Sequence, residues 1–369
     1  MTDRDYMLRA IELAKGGLGW TSPNPLVGAV IVKDGRIIGE GYHERCGKLH
    51  AERNAIASLT ESAEGATLYV TLEPCCHYGK TPPCTEAILE QKIARVVIGS
   101  RDPNPLVAGK GAAILRAAGV RVEEDFMREE CDALNPVFFH YITKKTPYVV
   151  MKYAMTADGK IAARTGDSKW ITGESARKKV QELRHQYMGI MAGIGTVLAD
   201  DPMLNVRIPG LKSPVRIICD SGLRIPMDSK IVQTAKEYRT IVAYAGEHSG
   251  EGCKEAEEKE EQLHAAGVET VSVPDADGRV DLRKLMEYLG KQSIDSVLLE
   301  GGGTLNDAAL SAGIVNEICA FIAPKIFGGD GAKTPVSGIG VAHPAEAVML
   351  TLRQMETIGD DLMLRYSVD

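Results

Sequence analysis

The chain lacks a basic excess. Its 43 Lys and Arg stand against 50 Asp and Glu, a formal net charge of −7. Residues 1–146 carry 18 basic against 19 acidic side chains and the remainder 25 against 31. Neither half therefore offers the surplus with which a protein grips nucleic acid through its phosphates. No uninterrupted apolar stretch approaches the roughly 20 residues that span a bilayer. The charged start Met1-Thr2-Asp3-Arg4-Asp5 leads into no apolar run of the kind a secretory leader carries. The eight cysteines form no evenly spaced disulfide framework, which suits a reducing compartment where thiols stay free or hold metal. Internal repeats and low-complexity tracts are also missing. The expectation is a cytoplasmic protein with neither nucleic-acid nor membrane partners. At 369 residues it is too long for one average domain.

What is present is alternation. Tyr6 to Ala14 has helical spacing, with Thr2 or Asp3 placed to cap it. Leu26 to Val32 reads as a strand, Asp34-Gly35 as a hairpin turn and Arg36 to Ile38 as the return. A helix follows over 49–59, a strand over 67–72, a helix from Cys84 to Gln91, then strand, helix and strand at 95–98, 111–118 and 120–122. The polar run Thr143-Lys144-Lys145-Thr146-Pro147 places a domain boundary there, giving domains 1–146 and 147–369. Beyond it, strands at 148–154, 189–192, 215–219, 240–244, 270–273, 296–300 and 317–322 alternate with helices at 175–186, 253–266, 282–289 and 304–312. Such alternation implies an α/β domain with a mostly parallel sheet.

Three positions carry chemistry in the first domain. His50-Ala51-Glu52 is followed by Pro74-Cys75 and then Cys84. One imidazole and two thiolates make a three-ligand set for Zn²⁺ that leaves a tetrahedral position open for water. Glu52 stands two residues past the histidine, free to handle protons without binding metal. An H-x-E element followed by P-C…C is the plan of zinc-dependent nucleobase deaminases, although eight residues separate Cys75 from Cys84 where two are usual. A structural zinc site would need a fourth protein ligand, for which Cys76, His77 and Cys46 are available, and Cys76 is the alternative to Cys75. His50 and Cys84 both fall at expected helix starts, where the positive dipole end favours thiolate and hydroxide. The implied reaction is hydrolytic: water attacks a ring carbon bearing an exocyclic amine, and Glu52 carries the proton from water to the departing ammonia.

In the second domain, Ser296-Val297-Leu298-Leu299-Glu300-Gly301-Gly302-Gly303-Thr304-Leu305-Asn306 reads as a buried strand, a glycine turn and a helix start. Such a turn lets backbone N–H groups and the helix dipole approach a diphosphate, though it also serves as a tight turn without ligand. Gly193-Ile194-Gly195 suggests a dinucleotide fingerprint, but Leu198 occupies the third glycine position and excludes a Rossmann reading of that segment.

Over its whole length the chain resembles the family of bifunctional riboflavin-biosynthesis enzymes that join a pyrimidine deaminase to a reductase. The resemblance rests on Thr21-Ser22-Pro23-Asn24-Pro25-Leu26-Val27-Gly28, Gly41-Tyr42-His43, His50-Ala51-Glu52 and the run from Thr71 to Cys84, whose long loop between zinc cysteines the family shares. It rests further on Lys152 to Ala162, Ser168 to Thr172, Gly193 to Pro202 and Glu300-Gly301-Gly302-Gly303. It implies a cytidine-deaminase-like three-layer α/β/α domain followed by a dihydrofolate-reductase-like α/β domain. It also implies one Zn²⁺ per chain on His50, Cys75 and Cys84, NADPH in the second domain, a small phosphorylated pyrimidine as substrate and a homo-oligomer. By resemblance, Asn24, His43, His77 and Lys80 contact substrate in the first domain. In the second, Lys152, Ser168, Arg184, Leu204, Arg207 and Glu300 fall at substrate positions. Ala154, Trp170, Thr196, Asp200, Ser221, Gly302, Gly303, Thr304, Leu305 and Asn306 fall at cofactor positions. Forked, charge-assisted hydrogen bonds suit Arg184 and Arg207 to a phosphate. Asp200 is open to two roles, proton transfer to an imine nitrogen or cofactor positioning. A nucleic-acid-editing deaminase fused to an unrelated domain is disfavoured by the near-neutral first domain, and a non-catalytic binding protein by the presence of Glu52.

Overall fold

Thr2 opens the first helix by a reciprocal cap: its hydroxyl accepts from the Asp5 N–H while the Asp5 carboxylate accepts from the Thr2 N–H. The computed structural model that shows this describes residues 1–78, 82–105, 107–246 and 253–369. The chain divides into two compact units, Met1–Lys145 and Thr146–Asp369.

In the first unit α1 (Asp3–Ala14) precedes the hairpin β1 (Gly28–Lys33) and β2 (Arg36–Tyr42), then α2 (Ala51–Ala57), β3 (Thr67–Leu72), α3 (Cys84–Glu90), β4 (Arg95–Ser100), α4 (Lys110–Ala117) and β5 (Arg121–Glu123). The strands form one sheet in the order β2-β1-β3-β4-β5. The hairpin is antiparallel to its neighbours, whereas β3, β4 and β5 run parallel. Both faces of the sheet are buried. Leu68, Val70, Val96 and Ile98 point into one apolar layer, while Val30, Tyr69 and Val97 join Met7 and Ala10 of α1 in the other. Strands buried on both faces read as continuous apolar runs, which is why these segments are visible in sequence. Two further helices, α5 (Arg128–Asp132) and α6 (Pro136–Lys144), end the unit. Sequence patterning gave no sign of them, because α5 buries only Cys131 and α6 only Phe138.

The second unit holds a nine-stranded sheet. Its elements are β6 (Tyr148–Thr156), α7 (Glu174–Gln186), β7 (Gly189–Gly193), α8 (Ile194–Asp200), β8 (Val215–Cys219), α9 (Lys230–Gln233), β9 (Thr240–Tyr244), α10 (Cys253–Ala265), β10 (Glu269–Ser272), α11 (Leu282–Lys291), β11 (Ser296–Leu299), α12 (Gly303–Ser311), β12 (Val315–Ala323), β13 (Leu350–Ile358) and β14 (Asp361–Val368). Strand order is β10-β9-β8-β7-β11-β6-β12-β14-β13. All pairs up to β12 are parallel, and the terminal hairpin adds two antiparallel strands.

That hairpin escapes sequence reading for a physical reason. Leu350, Leu352 and Met355 break a period of two, but a bulge between Leu352 and Gln354 puts them opposite Val368, Tyr366 and Leu364. Directly opposed residues share a face, so the bulge keeps all three on one side. The same face continues inward through Ile318 and Ala320 of β12, which are buried in the core. At β13 the apolar layer runs out into solvent, with Met355 66 % exposed and Leu352 52 %.

Candidate active sites

Each metal-ligating candidate is placed by an element end. His50 occupies the position just before α2, and Cys84 is the first residue of α3, preceded by Pro83. Cys75 stands in the irregular chain beyond β3. Arg53 of α2 donates to the carbonyls of Pro82 (3.1 Å) and Pro83 (2.9 Å), tying the start of α3 to α2. The result brings His50 Nδ1 to 3.4 Å from both Cys75 Sγ and Cys84 Sγ. Among the described residues this is the group of three that could hold a metal ion, with its donor atoms within 4.8 Å of one another. Cys46, Cys76 and His77 are not part of it.

The spacing fits zinc. Zn–N of ~2.05 Å and Zn–S of ~2.3 Å at a tetrahedral angle put nitrogen and sulfur about 3.6 Å apart. The proton chemistry fits as well. Hydrogen bonding from Cys84, and then from His50, pulls the Cys75 thiol down, and the same contact together with burial pushes Cys84 up. A divalent cation binds the deprotonated forms of both thiols. With three donors assembled, a fourth coordination position is left for water.

Glu52, in the first turn of α2, is 4 % exposed. Burial, then the neighbouring Cys75 charge, raises its carboxyl above the ordinary range, the direction required of a group that must take and return a proton near neutral pH. His43 faces His50 edge-on at 5.4 Å between ring centroids. Its Nδ1 donates to the Leu49 carbonyl (2.9 Å), which leaves Nε2 to accept from Asn24 Nδ2 (3.2 Å). Burial holds its pKa down and keeps the ring neutral. His77 has a buried Nδ1 with no hydrogen-bond partner among the described residues. Lys80 lies outside the described residues.

Sequence reasoning overlooked Asp102. This carboxyl is 8 % exposed, accepts from the Asn104 N–H (2.8 Å), and burial pushes its pKa up to about 6. The signal was the turn-forming Asp102-Pro103-Asn104-Pro105, in which an Asp folds back on its own backbone.

In the second unit Glu300 follows β11 and meets Arg184 of α7 in a forked pair, Nε–Oε1 2.7 Å and Nη2–Oε2 3.0 Å. Lys152 of β6 approaches Glu300 Oε2 at 3.7 Å, and Arg184 Nη1 also donates to Asn205 O (3.1 Å). Burial alone would push the Glu300 carboxyl up, but the Arg184 and Lys152 charges outweigh it and hold the pKa at about 2. The Arg184 fork is therefore engaged with Glu300, while Arg207 is exposed. Leu204 has a positive φ of 49° and is buried in the core, 3 % exposed, so its side chain is packed against apolar neighbours.

Strands β7 and β11 are parallel neighbours, and each leads into a helix, α8 and α12. Gly302 precedes α12 without any side-chain cap, and a Cβ there would meet nothing within 4 Å. Asn306 in the first turn is fully buried; its Nδ2 donates to Pro335 O (2.8 Å), while Oδ1 has no partner among the described residues. Gly302 stands open at the carboxyl end of a parallel sheet and at a helix start, where backbone N–H donors and the helix dipole fit the diphosphate of a dinucleotide, while Gly301 and Gly303 close against Asn306 Oδ1 and Thr334 O. Nearby in sequence to α8, Asp200 pairs with Lys169 at 3.9 Å, and Lys325 donates to Trp170 O (2.9 Å). Trp170 is 58 % exposed, with the Arg177 guanidinium 4.6 Å above its ring. Ala154 and Thr196 are half-buried, and Ser221 accepts from the Val280 N–H at 3.2 Å. Ser168, Thr304 and Leu305 complete the set: Thr304 is exposed and the other two are half-buried.

These two units define a class: a nucleoside-type deaminase with a zinc-binding donor set, joined to an α/β reductase. Known proteins agree. Residues 1–100 match the cytidine and deoxycytidylate deaminase zinc-binding region, and residues 147–364 match the RibD C-terminal domain. The riboflavin biosynthesis protein RibD of Actinobacillus pleuropneumoniae is 58 % identical, covering 100 % of this chain and 96 % of that one. That of Escherichia coli is 41 % identical, covering 99 % of each. Among solved structures, Acinetobacter baumannii RibD superposes with a TM-score of 0.88 at 38 % identity, covering 100 % and 99 %. The Thermotoga maritima diaminohydroxyphosphoribosylaminopyrimidine deaminase/5-amino-6-(5-phosphoribosylamino)uracil reductase does so at 0.86 and 39 %, covering 99 % and 98 %. The chain belongs to the RibD family of bifunctional riboflavin-biosynthesis enzymes.

Proposed function

We propose that residues 1–146 deaminate 2,5-diamino-6-ribosylamino-4(3H)-pyrimidinone 5′-phosphate and that residues 147–369 then reduce its ribosyl chain with NADPH. The product is 5-amino-6-ribitylamino-uracil 5′-phosphate. The observation that carries this reading is the buried Glu52 beside three donors spaced for zinc, in a chain whose other unit matches a RibD reductase domain.

His50 Nδ1, Cys75 Sγ and Cys84 Sγ would hold one zinc, which would supply a Lewis acid for the attacking water. Glu52 takes the proton of the attacking water and delivers it to the departing amine. Neutral His43, held by Leu49 O, orients Asn24, and His77 Nδ1 offers a buried polar atom to the pyrimidine. Lys80 meets the phosphate.

In the reductase, a bound NADPH would be the source of the hydride that reduces the ribosyl chain at C1′. Gly302, Gly303, Thr304, Leu305 and Asn306 receive its diphosphate, with Ala154, Trp170, Thr196 and Ser221 completing the cofactor contacts. The exposure of Asp200 and its pairing with Lys169 favour cofactor positioning over proton transfer. Arg207 grips the phosphate, Lys152 and Ser168 contact the sugar, and Arg184 holds Glu300 in place for a ribose hydroxyl. Leu204 belongs to the substrate set in this reading, packed in the core beside the site's other residues in sequence.

The enzyme is a homo-oligomer in this reading. Support comes from the β13 edge, where Leu350, Leu352 and Met355 lie near the exposed Ile339, Val348 and Met349 in sequence. An apolar face of that kind marks an interaction surface. The free thiols suit a reducing cytoplasm, and no helix among the described residues is long and apolar enough to cross a membrane.

The test supplies the diaminopyrimidine ribosyl phosphate with and without NADPH and follows ammonia and nicotinamide absorbance. Ammonia appears without NADPH, and NADPH is consumed only after deamination. Consumption of NADPH on undeaminated substrate by an enzyme carrying Glu52→Gln overturns the order.

A further inference from the structure

His50 and Cys84 are each fixed by a helix start, but Cys75 is not. It stands in irregular chain just past β3, and a ligand sulfur must hold its place within about 0.5 Å to keep a metal geometry. Something other than local secondary structure has to set it. Glu73, two residues earlier, is 4 % exposed. Its carboxylate reaches the start of α4: Oε2 accepts from the Gly109 N–H (2.9 Å) and Oε1 from the Ala112 N–H (3.2 Å). Gly109 precedes α4 and has no side chain with which to cap it, so the cap arrives from the segment just past β3. The Glu73 N–H meanwhile donates to Ser100 O (3.0 Å), prolonging the β3–β4 pairing by one residue. Gly111 closes the same contact. A Cβ at Gly111 would stand 2.2 Å from the carbonyl oxygen of Pro74, so the backbone of α4 rests directly on the residue before Cys75. On the other side, the Thr85 N–H donates to Cys75 O (3.2 Å) and the Cys84 N–H to Cys75 Sγ (3.4 Å). Cys75 is thus pinned from α4 on one side and α3 on the other.

We propose that Glu73 is a positioning residue of the zinc centre: clamped to the first turn of α4, it fixes the Pro74-Cys75 corner so that Cys75 Sγ stays in register with His50 Nδ1 and Cys84 Sγ. This rests on the assignment of those three side chains as the zinc ligands. A carboxylate suits the task because it brings two acceptors to two N–H donors and places negative charge at a helix start. A carboxamide of the same shape offers one acceptor and turns an NH₂ towards the second N–H, loosening the clamp without emptying the site. Partners that orient a metal ligand in this way govern metal affinity by ten- to a hundred-fold when removed.

The test uses the full-length protein loaded with zinc or with cobalt(II), whose thiolate charge-transfer and d–d bands report the ligand geometry. Glu73→Gln is compared with Glu73→Ala and with Thr2→Ala, which removes a helix cap far along the chain from the donors. Expected is a roughly ten-fold or greater loss of zinc affinity in Glu73→Gln, by chelator competition, a larger one in Glu73→Ala, and altered cobalt bands in both. Thr2→Ala loses thermal stability only. If Glu73→Gln loses stability as Thr2→Ala does but keeps wild-type zinc affinity and cobalt bands, Glu73 is merely a helix cap and the proposal is wrong. Should Glu73→Gln fail to fold, Gly111→Ala strains the same contact from the α4 side and is held to the same two outcomes. Wild-type protein that takes up cobalt without thiolate charge transfer would instead sink the ligand assignment itself.

Discussion

Replacing Glu300 by Gln tests the charge logic of the reductase unit. In the wild type, one buried carboxylate faces the fork of Arg184 at 2.7 and 3.0 Å and Lys152 at 3.7 Å, with side-chain exposures of 12–13 % for all three. Its pKa is about 2 against an ordinary 4.5. A folded-state pKa depressed by ~2.5 units corresponds to about 3 kcal/mol of stability at pH 7. The sign is that of a lowered carboxylate. The contribution is complete above pH ~4.5 and falls as pH drops towards ~2, being about 2 kcal/mol at pH 3.5. Glu300→Gln also strands two buried cations, so a total loss of roughly 3–5 kcal/mol is expected, or on the order of 10 °C in melting temperature for a unit of this size. Calorimetry of the full chain at pH 7 and 3.5, wild type against variant, measures both terms. Because apolar replacement of a whole buried charge cluster often removes the desolvation cost, Lys152→Met and Arg184→Met together with Glu300→Leu should recover much of the stability while NADPH oxidation stays lost. A variant within 1 kcal/mol of wild type at pH 7, or a gap that does not shrink on acidification, refutes the reasoning.

Glu52→Gln should retain one zinc per chain and lose deamination by at least a hundred-fold, the scale of a general acid–base contribution; unchanged ammonia release removes Glu52 from the chemistry. Chelating the metal should stop ammonia release and leave NADPH oxidation on the deaminated substrate intact, with zinc restoring the first activity; parallel loss of both would mean that the metal supports the whole chain. Leu352→Glu with Met355→Glu should lower the sedimenting mass to that of one chain while circular dichroism is unchanged, and a variant that keeps the wild-type mass places the subunit contact elsewhere.

Much of the first unit was legible as sequence because its strands are buried on both faces and bounded by turns. β3 spans the expected residues 67–72, and α3 starts at Cys84 behind a proline pair. The strands of the second unit up to β12 were legible for the same reason, but the short helices α8 and α9, of seven and four residues, were not expected, being too brief to show a helical period. The terminal hairpin was hidden by the bulge at Arg353, which shifts the apolar residues out of a two-residue period while leaving them on one face. Helices α5 and α6 were hidden because each buries a single side chain.

Sequence alone determined the residue types and their order: an imidazole, a carboxylate two residues on, and two thiols at strand and helix ends. Those are enough to specify zinc-type deamination, because the reaction needs only that donor set and one proton carrier. Tertiary structure alone decided how the set is held and which charges are paired. Two 3.4 Å sulfur–nitrogen contacts arise from segments 25 and 34 residues apart. Glu300 meets Arg184 across 116 residues, and Glu73 meets the start of α4 across 36 and 39. Local spacing encodes which chemistry is available. Contacts across such separations depend on strand order and helix packing, which no local pattern contains.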